Sequence, residues 1–225
     1  MTSSEILNEP EYRILEKTVE DTLREEYFEL LPSIRKTLYE LEATIRHTLI
    51  PAMKSLEGHE RLEICSRIKE CDRAIDALKR REEGAIFDRA CPGKYSLRTL
   101  KDLVGLRILV FPKQNIPQLE KLIVAKLPNW EADPIKIATE AFPKYSGFLD
   151  ERSGVCAEYQ IVPMLVGLFW EVEHDAIYKP SPDLKGLAPV MEPTTRKVYD
   201  ALHDFEEELC RLIVKAKRKP TNRRD

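Results

Sequence analysis

Two acidic residues stand where they can support phosphate-transfer chemistry. Asp102 precedes an apolar stretch, and Glu158 lies in a second stretch of strand character, Glu158-Tyr159-Gln160-Ile161. Carboxylates at the ends of adjacent strands can hold a hard cation such as Mg²⁺, which prefers oxygen ligands. A glutamate beside a substrate hydroxyl can orient it or accept its proton. Taken alone, each acid also has a plainer explanation, as a strand cap or as part of an exposed sheet face.

Cations suited to a polyphosphate accompany these acids. Arg107 interrupts an apolar strand, where a guanidinium is costly unless it is paired or faces a ligand such as a nucleobase. An internal ion pair explains Arg107 equally well. A segment with the pattern of one charged helix carries six more cations: Arg67, Lys69, Arg73, Lys79, Arg80 and Arg81. Such a run is usually a solvated helix surface, partly neutralised by neighbouring acids.

Two further polar residues lie near Glu158 in the chain. Gln160 shares a strand face with Glu158, because alternate residues of a strand point the same way. His174 falls on the following predicted helix, where it can bond a phosphate or cap a buried carboxylate. The sequence has no Walker-type glycine loop, GxGxxG, HExxH or nucleophile elbow. Any phosphates must therefore be held by side chains.

Helical and strand patterns alternate along the chain and must position these residues. Helices are predicted at 8–56, at 61–83, at 114–127, from Pro163 to about Tyr178, and after a proline-rich break at 180–193. Strands are predicted at 103–111 in the sheet centre, at 155–162, and at 130–137 on an edge, with a loop at 144–148 and a hairpin turn at 150–154. This order predicts an α+β fold, a mixed β-sheet flanked by helices.

Composition narrows the class of protein. The 225 residues are 43% hydrophobic and 33% charged with a net charge of −3, which predicts one domain with a helical extension and argues against a nucleic-acid coat. No apolar run is long enough to cross a bilayer, and the first residues lack the features of a secretory signal. The lack of a long apolar run predicts that the protein has no membrane partner. Five cysteines without paired CxxC spacing predict a reduced, cytoplasmic protein.

Five motifs in one order resemble the synthetase domain of RelA/SpoT-type alarmone synthetases, including the small and the toxic small alarmone synthetases. They are Arg67-Ile68-Lys69, the run from Tyr95 to Asp102-Leu103-Val104-Gly105-Leu106-Arg107, Lys144-Tyr145-Ser146-Gly147-Phe148, Glu158-Tyr159-Gln160-Ile161, and Glu171-Val172-Glu173-His174-Asp175 with Tyr178-Lys179. The resemblance implies a nucleotidyltransferase-like synthetase domain at 59–180, an N-terminal helical extension at 1–58, and a C-terminal helix with a basic tail at 181–225.

The resemblance also implies an activity, transfer of the β,γ-pyrophosphate of ATP to the 3′-hydroxyl of GDP or GTP with Mg²⁺ as cofactor. By position, Asp102 and Glu158 are the implied catalytic and metal-binding carboxylates. Arg67 and Arg107 would sandwich the adenine. The full set of implied ATP-binding residues is Arg67, Lys69, Lys79, Arg80 and Arg107. The implied acceptor-binding residues are Tyr145, Phe148, Gln160 and His174.

Departures from the family pattern concentrate on the acceptor side. Phe148 stands where the family has tyrosine, Val162-Pro163 replace Arg-Thr, and Gly167 replaces a polar residue. An adenosine nucleotide or the 3′ end of tRNA, the acceptors of toxic members, is therefore an alternative to GDP or GTP, and the basic tail Lys215–Arg224 suits an RNA backbone. A degenerate nucleotide-binding domain without activity is the third alternative. The pattern leaves open an antitoxin partner and a homo-oligomer.

Overall fold

The computed structural model describes residues 17–173 and 186–218. The helices are α1 (Val19–Lys54), α2 (Cys71–Lys79), α3 (Ile116–Lys126), α4 (Met164–Glu173) and α5 (Leu187–Arg218). The strands are β1 (Arg61–Ile68), β2 (Val104–Phe111), β3 (Glu131–Ala132), β4 (Ile135–Ile137), β5 (Glu140–Phe142), β6 (Lys144–Gly147) and β7 (Ala157–Pro163).

A reciprocal cap starts the long helix α1. The Thr18 hydroxyl accepts from the backbone N–H of Asp21 (3.1 Å), and the Asp21 carboxylate accepts from the backbone N–H of Thr18 (3.2 Å). From there the helix continues through Pro32 and Pro51. Its buried stripe recurs at helical spacing and packs on the sheet: Val19, Leu23, Tyr27, Leu30, Ile34, Leu41, Ile45 and Leu49.

Five strands form one mixed sheet in the order β1-β2-β7-β6-β3, while β4 and β5 form a separate hairpin. Strands β2 and β7 run parallel, and every other pair in the large sheet is antiparallel. In β2, six of the eight residues are buried, as expected for a strand with neighbours on both sides. The α+β class with helices flanking a mixed sheet is confirmed.

Different helices pack on the two faces of the sheet. Helices α1 and α3 cover one face, where Ser66 donates to Glu42 of α1 (2.9 Å) and Tyr145 donates to Glu120 of α3 (2.6 Å). Helix α4 packs against β2 and β7 on the opposite face and contacts α5. There α4 approaches so closely that a Cβ on Gly167 would stand 2.7 Å from Leu109. Part of this second face is left for polar side chains.

The predicted helix at 61–83 is wrong in its first half. Residues Arg61–Ile68 form β1, which pairs with β2 along its whole length, and only Cys71–Lys79 is helical. The charged residues of this stretch favour a helix locally, but pairing with an apolar neighbour strand overrides that preference. Arg67 therefore lies on a strand and not on the helix of Lys79, so the predicted common helix surface for these cations does not exist.

Other local predictions differ less. The predicted loop at 144–148 is mostly strand β6, Pro163 ends β7 instead of starting a helix, and α5 begins inside the predicted proline-rich break. The predicted edge strand at 130–137 is divided between β3, which is the sheet edge, and β4. The strand at 103–111, the helix at 114–127, and the turn with its return strand are confirmed. None of the described helices is long and apolar enough to cross a membrane.

Candidate active site

Strand register places the predicted site residues side by side. Arg67 on β1 pairs with Gly105 on β2, and Gly105 pairs with Glu158 on β7. In the neighbouring row, Arg107 pairs with Gln160. Paired residues project from the same face of a sheet, and so do residues two apart on one strand. Arg67, Glu158, Arg107 and Gln160 consequently share the face on which α4 packs.

The Arg67 side chain passes close over Gly105. A Cβ at position 105 would lie 3.2 Å from the Arg67 Nε atom and 3.3 Å from its Cγ atom. The absence of a side chain lets the Arg67 stem lie along the sheet between two strands. Arg67 and Glu158 thereby face each other across one glycine.

Glu158 is a mostly buried carboxylate with a defined set of neighbours. Its side chain is 13% exposed, Gln160 donates to its Oε1 atom (2.7 Å), and the Lys144 Nζ atom lies 3.8 Å from Oε2. Burial raises the pKa of the Glu158 carboxyl, and the negative charge of Asp102 adds to the rise. The hydrogen bond from Gln160 and the charges of Lys144 and Arg67 oppose it. A carboxylate with a raised pKa is a better proton acceptor.

Asp102 forms an ion pair with Lys69 beside the end of β1 and the start of β2. Lys69 follows β1 and Asp102 precedes β2, and the backbone N–H of Lys69 donates to the Leu103 carbonyl (2.9 Å). Tyr27 of α1 donates its hydroxyl to the Lys69 carbonyl (3.0 Å). Lys69, predicted to bind ATP, and Asp102, predicted to bind the metal, are thus held together by their ion pair and by the hydrogen bond from Lys69 to Leu103.

The two carboxylates fit a magnesium ion that arrives with a nucleotide. Within residues 17–173 and 186–218, no three His, Cys, Asp or Glu side chains form a metal cage. Mg²⁺ commonly uses one or two carboxylates and takes its other ligands from water and substrate phosphates. The negative charge of Asp102 contributes to the raised pKa of Glu158. In the structure each carboxylate has a cation beside it: Lys69 is bound to Asp102, and Lys144 lies near Glu158.

Arg107 is buried without full pairing. Its side chain is 15% exposed, and its ion pair is with Glu171 of α4, at 3.6 Å between Nη1 and Oε2. The Nε atom is buried and has no hydrogen-bond partner in the described part of the chain. Its Cζ atom lies 4.5 Å from the centroid of the Trp170 ring. Burial lowers the pKa of this guanidinium, and Glu171 opposes the shift.

The predicted acceptor residues divide between locations. Gln160 lies beside Glu158, and its Oε1 atom is buried without a partner among the described residues. Tyr145 projects from the opposite face, where its ring stacks on Tyr159 (centroids 5.1 Å apart). Phe148 follows β6 with 45% of its surface exposed. His174 lies outside the described residues.

Two of the predicted ATP-binding residues stand apart from this cluster. Lys79 lies in the last turn of α2, about 12 Å along the helix from its start at 1.5 Å per residue. Its ammonium donates to Glu20 of α1 (3.0 Å) and lies 5.8 Å from the centroid of the Phe87 ring. Arg80 follows it and is exposed. The structure therefore unites Arg67, Lys69 and Arg107 with the carboxylates, but not these two.

Sequence reasoning gave no role to Lys144 or to Trp170. Lys144 pairs with Gln160 in the sheet register and binds Asp133 (2.6 Å) as well as facing Glu158. If 144–147 is read as a strand, Lys144 lies two residues before Ser146, which pairs with Glu158. That spacing puts Lys144 on the face of Glu158 and was the available sequence signal. Trp170 had no sequence signal, because its contact depends on how α4 packs on the sheet.

Comparisons with known proteins agree with this architecture. No protein-family model matches the chain, and no curated protein matches it. Among solved structures, small alarmone synthetase 1 from Bacillus subtilis superposes with a TM-score of 0.63 at 16% identity, covering 86% of this chain and 98% of that one. The same protein bound to AMPCPP gives a TM-score of 0.61 at 15% identity, over 86% of this chain and 99% of that one.

A third structure extends the match. A GTP pyrophosphokinase family protein from Streptococcus pneumoniae has a TM-score of 0.52 at 14% identity, over 84% of this chain and 92% of that one. These likenesses cover 84–86% of this chain and 92–99% of the other proteins. The chain has the fold of the small alarmone synthetases.

Proposed function

We propose that this protein is a pyrophosphokinase that transfers the β,γ-pyrophosphate of ATP to the 3′-hydroxyl of GDP or GTP. The observation that carries the proposal is the pair Asp102 and Glu158: Asp102 precedes β2, Glu158 lies on the adjacent parallel strand β7, and each has a lysine ammonium group beside it. The fold supports it, since small alarmone synthetase 1 has been solved with AMPCPP and with its product pppGpp.

The donor side uses Arg67, Lys69 and Arg107. Two guanidinium groups on neighbouring strands suit a purine base, because arginine stacks on aromatic faces. Lys69 reaches the phosphates by leaving Asp102, to which it is bound in the structure. Phosphate contacts from Lys79 and Arg80 stay predictions, since Lys79 lies in the last turn of α2 and Arg80 follows it.

Glu158 acts on the attacking hydroxyl. Gln160 holds its Oε1 atom, which leaves Oε2 to accept a hydrogen bond from the acceptor 3′-OH. The acceptor oxygen bonds to the β-phosphorus, the bond between that phosphorus and the α,β-bridging oxygen breaks, and AMP leaves. The hydroxyl proton passes to Glu158. Such transfers depend chiefly on positioning and on neutralising charge, which the surrounding cations supply.

Asp102 and Glu158 are the residues that would hold Mg²⁺. When bound, the ion neutralises charge on the β- and γ-phosphates and orients them. Lys144 keeps Glu158 in place through the sheet register and its charge. The cation fits this pair because Mg²⁺ prefers oxygen ligands and commonly uses one or two carboxylates beside water and substrate phosphates.

A second candidate acceptor is tRNA or an adenosine nucleotide. The packing of Gly167 favours it, because a Cβ there would meet Leu109 at 2.7 Å and Val162 at 2.8 Å. No polar side chain fits at this position unless α4 moves. The acceptor side therefore lacks a group available for base recognition at that point, which weakens the preference for guanine.

The test is an acceptor screen with γ-labelled ATP and Mg²⁺. GDP, GTP, ATP and deacylated tRNA are offered separately to the wild type and to two variants, Glu158→Gln and Glu206→Gln. Glu206 is the matched control: it is a buried glutamate on α5 that accepts from the backbone N–H of Lys113 (2.5 Å). Label should enter GDP or GTP with the wild type and the Glu206 variant, and not with the Glu158 variant.

Other outcomes separate the alternatives. Label found only in tRNA or only in an adenosine nucleotide rejects the guanosine acceptor and supports the second candidate. No label in any acceptor, with ATP left intact, contradicts pyrophosphokinase activity and leaves a nucleotide-binding domain.

A further inference from the structure

Trp170 and Arg107 form a contact between α4 and the candidate active site. The Arg107 Cζ atom lies 4.5 Å from the centroid of the indole ring, within the range of a cation–π interaction. Trp170 lies one helical turn after Gly167, whose lack of a side chain lets α4 approach Leu109 and Val162. The close approach at Gly167 therefore brings the indole onto the guanidinium.

The indole supports Arg107 where ordinary pairing does not. Arg107 is largely buried, its Nε atom has no hydrogen-bond partner in the described part of the chain, and its carboxylate partner Glu171 is 61% exposed at 3.6 Å. A long ion pair with an exposed acid contributes little. A planar guanidinium can stack on aromatic rings through each of its two faces, and the Trp170 indole is the aromatic ring that contacts Arg107 from the α4 side.

We infer that Trp170 is a positioning residue for the nucleobase of the donor. It fixes the guanidinium plane of Arg107 from the α4 side, so that the opposite face receives the purine base from the side of Arg67 and Gly105. This inference rests on the proposed function, since it assumes that ATP is the donor. It assigns Trp170 no contact with the phosphates or with the reacting atoms.

A purely structural role makes a different prediction. If Trp170 only fills space between α4 and the sheet, its loss should weaken every ligand alike through a less stable fold. If it positions Arg107 for a base, its loss should weaken nucleotides and spare a ligand that has phosphates but no base. Phenylalanine keeps an aromatic face and leucine does not, so the two replacements separate aromatic support from bulk.

Calorimetric titration of the full chain tests the inference. The wild type, Trp170→Phe and Trp170→Leu are titrated with AMPCPP and with inorganic tripolyphosphate, both with Mg²⁺. We expect Trp170→Leu to bind AMPCPP roughly tenfold more weakly, the effect of a partly desolvated cation–π contact. Trp170→Phe should stay within about threefold of the wild type, by the same contact. Tripolyphosphate should bind all three proteins alike.

Tryptophan fluorescence gives a second readout. The only other tryptophan, Trp130, is buried and its ring lies 5.4 Å from that of Tyr159, on the face opposite Glu158. AMPCPP should change the emission of Trp130→Phe, which retains Trp170, and should leave the emission of Trp170→Phe unchanged. A nucleotide response that persists in Trp170→Phe contradicts the inference.

The outcomes test the role of Trp170 separately from the proposed function. Equal AMPCPP affinity of the wild type and Trp170→Leu rejects the role of Trp170 and leaves the proposed function intact. Parallel loss of AMPCPP and tripolyphosphate affinity in Trp170→Leu also rejects it, in favour of a structural role. Failure of the wild type to bind AMPCPP at all contradicts the proposed function and, with it, the inference.

Discussion

Lys69 and Asp102 form an ion pair that joins the end of β1 to the residues before β2, across 33 positions of sequence. The carboxylate that would meet the magnesium ion is thus already bound to an ammonium group. The backbone N–H of Lys69 also donates to the carbonyl of Leu103, the residue after Asp102. Under the proposed function, binding of a magnesium nucleotide would require exchange, in which Lys69 moves to the phosphates and Asp102 to the cation.

Replacing Lys69 with methionine should separate metal binding from nucleotide binding. Without the competing ammonium, Lys69→Met should bind Mn²⁺ severalfold more tightly than the wild type when no nucleotide is present. Its AMPCPP affinity should fall roughly tenfold, because a charge-assisted contact to phosphate is lost. Titration followed by the electron paramagnetic resonance of free Mn²⁺ measures the first effect.

Lys101→Met is the matched control for this variant. Lys101 forms an ion pair with Glu131 (2.6 Å) near the sheet edge, and its side chain is 59% exposed. Its loss should change neither affinity. Unchanged Mn²⁺ affinity in Lys69→Met would show that Lys69 does not compete for Asp102.

The raised pKa of Glu158 gives a pH-dependent stability difference. A carboxyl whose pKa is higher in the folded state than in the unfolded state holds its proton more tightly when folded. That stabilisation is complete below the unfolded value of about 4.3 and is lost as the pH rises through the folded pKa. Glu158→Gln cannot ionise, so its melting temperature relative to the wild type should rise as the pH increases above about 4.3 and level off above the folded pKa of Glu158. Glu63→Gln, at an exposed position of β1, should show no such trend.

Gly167 should tolerate no polar replacement. Gly167→Asn places a side chain where Leu109 and Val162, both buried, already stand within 2.8 Å of the added Cβ. Overpacking of this kind costs about 1–3 kcal/mol of unfolding free energy. Urea unfolding compares it with Gly93→Asn, where the Cβ meets nothing within 4 Å. A Gly167→Asn protein as stable as the Gly93 variant would mean that α4 can move away from the sheet.

Tyr145 and Phe148 should differ in their effects on the acceptor. Tyr145→Phe removes the hydrogen bond to Glu120 and should cost about 1 kcal/mol of stability, with the KM for the acceptor unchanged. Burial raises the pKa of Tyr145 to about 12, which agrees with a structural hydroxyl. Phe148→Ala should raise the acceptor KM about tenfold, the effect of losing one base stack. A raised acceptor KM in Tyr145→Phe would show that Tyr145 contributes to acceptor binding.

Sequence reasoning predicted the active-site strands better than their neighbours. The apolar run of β2 and the pattern of β7 predict two strands, and the sheet places them side by side, with Asp102 just before β2 and Glu158 on β7. Strand β1 was misread because its exposed face carries charged residues with high helix preference. The alternation of Leu62 and Ile64 with polar residues was the available signal.

The remaining site geometry depends on tertiary packing. Whether Tyr145 faces Glu158 or α3 depends on a one-residue shift of register, since neighbouring strand residues point to opposite faces. The contact between Trp170 and Arg107 needs the close approach of α4 at Gly167. Neither relationship is encoded in a local pattern, because each joins segments that meet only in the folded sheet.

The central claim is that pyrophosphate transfer needs the Glu158 carboxylate, and quantifying AMP under single-turnover conditions with ATP and GDP tests it most directly. We predict one AMP, and no ADP derived from ATP, for each pyrophosphorylated product of the wild type. Glu158→Gln should form AMP ~10²–10⁴-fold more slowly at saturating ATP, the usual effect of losing a positioned base. ADP in place of AMP, or AMP formed by Glu158→Gln at the wild-type rate, would contradict the claim.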